Sequence, residues 1–441
     1  MRIDDALLCD MMRHMRSWDW PTAYAELVAR LGEYGAHARW TFCGLGACVD
    51  AVMSAHDAVA ALLASSNVSA RALGQTLEQR AGAGVGGEVR VHWDDGPDWL
   101  DAALPLRKAL GGTAAHAARV LTRLGAPALL ALSHRDAEQM GCLDGDICLA
   151  IDGRATPARN VDPHGAPRPK IYIFEFTAGR LIGDTLAPRS SRVIVRFTDP
   201  DIENDQQFEA LSTAMGAEAG AAVLSGFNGI RAADLDRALA QARALALRWR
   251  AAGVPIVHME MGGFEILELR DRTVDGLRDG FNSIGFSQSE YRAMAPGDAP
   301  DTATIVATAE RLGVDRLCIH ADTWALAATR GDRDQERTAL MMGCLLAGTR
   351  AAVGQPVRPA AVNPSAQYDE PPEESRRGAW NIVACSAPYL PHPATTLGLG
   401  DTFMAGCLLV LGQQHRPDAE QFSRRNMRLA TKESTHSGSM N

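Results

Sequence analysis

The second half of the chain fixes the class of fold. From Arg192 onward, short apolar runs alternate with longer amphipathic ones. Val193–Phe197, Ala221–Ser225, Pro255–Glu260, Asn282–Gly285, Arg316–His320 and Ile382–Ala384 have the length and composition of strands. Helix-length segments such as Ala232–Ala252 and Asp301–Leu312 lie between them. Strand and helix in strict alternation predict a mostly parallel central sheet covered by helices, an α/β fold. At 441 residues the chain is about three times an ordinary domain, which leaves room for a second unit.

The first half reads differently. Residues 1–38 have helical spacing, with Pro21 opening the second segment. Trp40–Asp50 reads as a buried strand entering a glycine turn, with a helix expected from Ala51 to Ala64. Three strands, Glu88–Trp93, Ile147–Asp152 and Lys170–Phe176, are not each followed by a helix, so they predict a separate small sheet. Between them, Gly111-Gly112 opens an alanine-rich helix. Residues 364–379 read as a surface loop and 431–441 as a polar tail.

Composition narrows the function classes. Hydrophobic residues at 46% and charged residues at 22% exclude wholesale disorder. No apolar run reaches the roughly 18 residues that would span a bilayer. The opening stretch carries Asp4 and Asp5 where a signal peptide would be basic and then apolar. The chain is therefore expected to be soluble and cytoplasmic, with no membrane partner. The net charge is −9, and the basic residues form nothing longer than pairs such as Arg376-Arg377 and Arg424-Arg425, so no nucleic-acid partner is expected. The nine cysteines form no CxxC and are expected to be free thiols.

The stretch richest in chemistry is Thr395-Thr396-Leu397-Gly398-Leu399-Gly400-Asp401-Thr402, which runs into an apolar helix. Two glycines before a helix let backbone N–H groups approach an anion, and the helix end adds partial positive charge. An aspartate there has a purpose if it takes a proton from a hydroxyl that attacks a phosphoryl group held by those N–H groups. A plain helix cap is the other reading of Asp401. His258-Met259-Glu260 falls at a strand end, where open α/β sheets place their ligands, and a carboxylate there suits magnesium. Ser287 and Glu290 lie at the next strand-to-helix junction, with the spacing of a capping box.

In this order the blocks resemble the ADP-dependent sugar kinases, the glucokinase and phosphofructokinase group of the ribokinase-like superfamily. Gly44–Asp50 is similar to the first strand and its sugar-site aspartate, and Gly111-Gly112 to the glycine turn of the sugar site. Ile173–Phe176 resembles a lid strand, and Leu224–Phe227 the strand and turn before a long helix. His258–Glu260 matches an HxE motif, Ser287–Glu290 stands at an NxxE motif, and Gly398–Asp401 matches GxGD. Leu317–His320 and the Arg330-Gly331-Asp332 that follows complete the set, over roughly residues 40–412.

The resemblance implies a ribokinase-like large domain from residues 1–50, 110–140 and 191–430, with a small β-sheet lid from 51–109 and 141–190. It implies a magnesium-dependent kinase that moves a phosphoryl group from ADP to a sugar-type hydroxyl. Asp401 would be the base and Gly398, Leu399 and Gly400 the anion hole. Glu260 and Glu290 would place Mg2+, largely through water. Asp50, Gly111, Gly112 and Glu175 would contact the acceptor, and His320 would lie near the nucleotide. Three positions depart from the family pattern. Ser287 replaces the NxxE asparagine, His116 follows the glycine pair where a Gln or Asn is usual, and Cys48 precedes Asp50 where an Asn is usual. Fewer polar sugar contacts imply an acceptor other than glucose or fructose 6-phosphate. An ATP-using ribokinase-like kinase and a sugar- or nucleotide-binding relative with little catalysis fit the same residues.

Overall fold

The computed structural model describes residues 18–198, 201–295 and 301–413. The predicted tail, the Arg424-Arg425 pair and the first 17 residues of the predicted N-terminal helical stretch lie outside the described residues. Trp20–Ala36 is a helix, capped by the Asp19 side chain and with Pro21 in its first turn.

The large sheet has eleven strands. Their spatial order is Ser375–Arg377, Trp380–Ser386, Trp324–Thr329, Arg316–His320, Ser283–Ser287, Ile256–Glu260, Ala219–Leu224, Trp40–Cys43, Ala128–Leu130, Cys148–Ile151 and Arg154–Pro157. The seven from Arg316–His320 through Cys148–Ile151 run parallel, and antiparallel strands close both edges. Apolar clusters cover the two faces. One contains helix Leu399–Leu411 with Thr113–Arg123 and Arg333–Val353; the other contains Leu235–Ala251. No described helix is long and apolar enough to cross a membrane. The described cysteines are all free.

A second sheet has five strands, in the order Gly87–Arg90, Ser191–Arg196, Ile171–Phe176, Cys48–Ser54 and Arg107–Gly111. Its outer face packs on helices Ala55–Ala64 and Val68–Gly82 in a core of its own. Its inner face carries Val52, Ile171 and Ile173 against Leu397 of the large unit. Asp50 shares that inner face with Val52, because residues two apart in a strand point the same way.

The topology corrects several expected boundaries. Cys148–Ile151 pairs in parallel with Ala128–Leu130, so this strand and its hairpin partner edge the large sheet rather than the lid. Ser191–Arg196, expected in the large domain, pairs with Ile171–Phe176 and Gly87–Arg90 in the small sheet. Alternation of apolar residues marks a strand, but not the sheet that receives it. Residues 51–54, expected to start a helix, extend the strand Cys48–Ser54; β-branched Val52 and pairing on both sides favour that. Helix Val68–Gly82 fills a stretch to which no element was assigned from the sequence.

Candidate active site

Three neighbouring parallel strands end together. His258 and Glu260 come from the first, Gly285 and Ser287 from the second and His320 from the third. His258 Nε2 donates to Glu260 Oε2 at 2.9 Å, and His320 Nε2 lies 3.7 Å from Glu260 Oε1. Gly285 pairs in register with Glu260, and a Cβ there would overlap the Glu260 carboxylate. Burial pushes Glu260 toward its neutral form, but hydrogen bonds and charge from His258 and His320 outweigh it and bring its pKa to about 2. Burial lowers the His320 pKa, yet the Glu260 hydrogen bond and the charges of Glu260 and Glu290 leave it raised.

Glu290 caps its own helix. Ser287 N–H donates to Glu290 Oε2 at 2.7 Å, and Glu290 N–H donates to Ser287 Oγ at 3.3 Å, a complete capping box. Burial, with the charge of Glu260 behind it, pushes the Glu290 pKa up to about 7. The carboxylate is thus both a local cap and one of the charges felt by His320.

Helix Leu399–Leu411 begins beside this cluster. Its N-cap, Gly398, has φ +67°, a left-handed turn that suits glycine, and a Cβ there would overlap the Arg350 guanidinium. A Cβ on Gly400 would come within 3.1 Å of the His320 ring, so the first turn lies against the strand ends. Arg350 donates from one nitrogen to Gly398 O and to Thr402 Oγ, each at 3.0 Å. Asp401, half-buried in this first turn, has its pKa raised by burial; Arg350 and a hydrogen bond from Thr113 oppose the rise, and the charge of Glu260 adds to it.

The small sheet supplies the other wall. Asp50 is 5% exposed, and burial pushes its pKa up to about 7. The charge of Asp401 adds to that rise, while Cys48, Arg196 and Arg192 oppose it. A Cβ on Gly111 would overlap the Asp50 carboxylate, and Gly112, at φ +90°, abuts the backbone of Gly46 and Ala47. Glu175 accepts from Thr395 Oγ at 2.8 Å and from Thr396 N–H at 3.1 Å, so its Oε1 braces the loop ahead of Gly398. His116 is only 3% exposed, and its ring nitrogens have no hydrogen-bond partner among the described residues.

Asp401 therefore stands between a carboxylate–histidine cluster and the small-sheet aspartate, although these groups come from distant parts of the chain. No motif in the sequence marks Arg350, Arg192 or Thr113. Arg192 donates to Thr396 O at 2.8 Å. Arg350 sits in the last turn of helix Arg333–Val353. The only signal for it is a lone cation amid small residues, Ala347-Gly348-Thr349-Arg350-Ala351-Ala352. Glu260 and Glu290 fit a magnesium ion held through water. Magnesium uses one or two carboxylates and keeps several waters, and here three of the four carboxylate oxygens already face protein donors.

Comparison with known proteins accords with this architecture. The ADP-specific phosphofructokinase/glucokinase conserved region matches residues 40–296. The ADP-specific phosphofructokinase of Pyrococcus abyssi is 24% identical over 361 residues, covering 70% of this chain and 80% of its own. That of Thermococcus litoralis is 27% identical over 281 residues, covering 53% and 61%. An ADP-dependent kinase in complex with fructose-6-phosphate and ADPβS superposes with a TM-score of 0.73 at 16% identity, over 89% of this chain and 98% of its own. A Pyrococcus horikoshii phosphofructokinase with AMP gives a TM-score of 0.64 at 18% identity, over 88% and 99%. These likenesses extend the fold over both sheets, and the match over residues 40–296 places the chain in the ADP-specific phosphofructokinase/glucokinase family.

Proposed function

We propose that the chain transfers the β-phosphoryl group of ADP to a hydroxyl of a sugar or sugar phosphate, with magnesium as cofactor and Asp401 as general base. The observation that carries this reading is the position of Asp401. It is a half-buried carboxylate in the first turn of a helix whose glycine-opened N-terminus otherwise suits an anion. Its burial raises its proton affinity, while Arg350 keeps the ionised form accessible. A base poised in this way accepts the acceptor's proton as the hydroxyl oxygen bonds to phosphorus. The bond from that phosphorus to the bridging oxygen breaks, and AMP leaves with the electron pair.

The N–H groups at Gly398, Leu399 and Gly400 hold the transferring group. Asp50, with the glycine pair Gly111 and Gly112 against it, takes acceptor hydroxyls. Glu260 and Glu290 would hold magnesium, which neutralises phosphate charge when bound. The donor follows from family membership and from relatives named ADP-specific phosphofructokinases. Cys48 and the buried His116, where the family pattern has amide side chains, favour an acceptor other than glucose or fructose 6-phosphate as a second reading.

The test crosses ADP and ATP with a panel of sugars, sugar phosphates and nucleosides and reads AMP or ADP by chromatography. AMP forming only with an acceptor present is the expected result. Asp401→Asn is expected to lower kcat by about 100- to 10,000-fold while nucleotide binding persists. Turnover that survives Asp401→Asn removes the base from the mechanism. ADP formed from ATP reassigns the donor, and fructose 6-phosphate as the clear best acceptor ends the second reading.

A further inference from the structure

A line of buried polar side chains runs from the core to Glu260, and the reaction as proposed does not use it. Glu336, on helix Arg333–Val353, is 1% exposed and accepts from Arg316 Nε at 2.9 and 3.0 Å through its two oxygens. Another nitrogen of Arg316 donates to Ser283 Oγ at 3.4 Å. Ser283 Oγ lies 2.8 Å from His258 Nδ1, and His258 Nε2 donates to Glu260 at 2.9 Å. Arg316, Ser283 and His258 are all 5% exposed or less. Strand register makes the line possible: His258 pairs with Ser283, and Ser283 with Arg316, so the three side chains sit on one face of adjacent strands.

For a neutral His258 ring the donors and acceptors can be assigned in only one way that satisfies each contact. An ionised Glu260 only accepts, so the imidazole proton facing it is on Nε2. Nδ1 is then an acceptor, and the Ser283 hydroxyl must give it its proton. Arg316 only donates, so it fills a lone pair of Ser283 Oγ and leaves the hydroxyl hydrogen directed at His258. The Glu336 carboxylate holds the guanidinium in that place. We propose that Ser283, Arg316 and Glu336 are positioning residues that lock His258 as the Nε2–H tautomer and so fix the Glu260 carboxylate at the strand ends. Partners of this kind behind a metal-holding group set its orientation, and their loss typically weakens metal binding or activity about 10- to 100-fold. The inference rests on the reading of Glu260 as a magnesium-holding group only for that last consequence.

The tautomer is read first on the metal-free chain, by long-range 1H–15N correlation of 15N-histidine-labelled protein, with His258→Asn to assign the signal. The expected wild-type result is a neutral ring protonated at Nε2. In Ser283→Ala the single tautomer is expected to give way to a mixture. Mn2+, followed by electron paramagnetic resonance of the free ion, is then expected to bind about 10- to 100-fold more weakly to Ser283→Ala than to wild type. An imidazolium or an Nδ1–H ring in the wild type overturns the proposal. So does a Ser283→Ala protein that keeps the tautomer, or one that changes the tautomer without changing Mn2+ affinity. If Ser283→Ala does not fold, the Arg316→Met/Glu336→Leu double variant carries the same test, since removing both partners leaves no uncompensated buried charge. A wild-type chain with the expected tautomer and no Mn2+ binding strikes the metal reading of Glu260 alone.

Discussion

At the scale of the residue, the site is a set of carboxylates held at different proton affinities by different neighbours. Two histidines bring Glu260 to about 2, while burial takes Asp50 to about 7. Asp50 gives the sharper prediction. Unfolded, it releases its proton near pH 4. Folded, it holds the proton until about pH 7. Its folded pKa is raised, so the stability linked to it is full below about pH 4 and is lost as pH rises through 7. At pH 8 the folded chain carries a buried carboxylate whose linkage cost is at most about 4 kcal/mol. Asp50→Asn removes that cost. Thermal unfolding should show the variant several degrees above wild type near pH 8 and close to it near pH 4.5. A gap independent of pH would mean that Asp50 is not held protonated by burial. The same variant should lose acceptor affinity, since an amide is a weaker partner for hydroxyl donors than a carboxylate.

At the scale of the element, two glycines shape the candidate site, one opening a helix and one inside a strand. Gly398 opens its helix with a left-handed residue, and Gly285 leaves the gap that Glu260 and His258 occupy. Gly398→Ala should cost about 1–3 kcal/mol in strain and press on Arg350, with kcat falling at least tenfold by steady-state assay. Gly285→Ala should displace the Glu260 carboxylate and raise the magnesium concentration needed for half-maximal rate. An unchanged magnesium dependence would show that Glu260 has no part in it. Nothing local marks Gly285, whose role comes from its register with Glu260, whereas Gly398 lies in the local GxGD motif and was legible in the sequence for that reason. Asp401, Glu260, Glu290 and His320 are likewise marked by short patterns at the ends of strands and helices. Arg350 was not, because its partner Gly398 is 48 residues away and nothing local announces the contact. Ala219–Leu224, Ile256–Glu260, Ser283–Ser287 and Arg316–His320 were legible for a similar reason, a helix ahead of each, whereas the three-residue strand Ala128–Leu130 was not read as a strand. Nor was Trp324–Thr329, since a three-residue turn joins it directly to the preceding strand Arg316–His320. Helix Val68–Gly82 was hidden by Gly74, which lowers helix propensity but packs against Leu62 and Leu63.

At the scale of the whole molecule, the small sheet is tied to the loop ahead of Gly398 at one register pair. Glu175 and Arg192 face each other across adjacent antiparallel strands. Glu175 accepts from Thr395 Oγ and Thr396 N–H, and Arg192 donates to Thr396 O. The two side chains therefore grip opposite sides of one peptide segment, and Leu397, the next residue, is buried against Val52, Ile171 and Ile173 of the same sheet. The loop that leads into Gly398 thus takes its position from the small sheet as much as from the large one. Glu175→Ala removes two hydrogen bonds to a charged acceptor, each contributing about 1.5–3 kcal/mol. It should raise amide exchange across residues 395–398 and raise the KM for the acceptor about tenfold or more, with nucleotide affinity nearly unchanged. Arg192→Ala should act in the same direction. The double variant should show less than the sum of the two, because the first loss already releases the segment that the second residue holds. Hydrogen exchange by mass spectrometry on the three variants decides the matter. Protection of 395–398 that stays at the wild-type level in all of them would show that the large domain alone sets the loop.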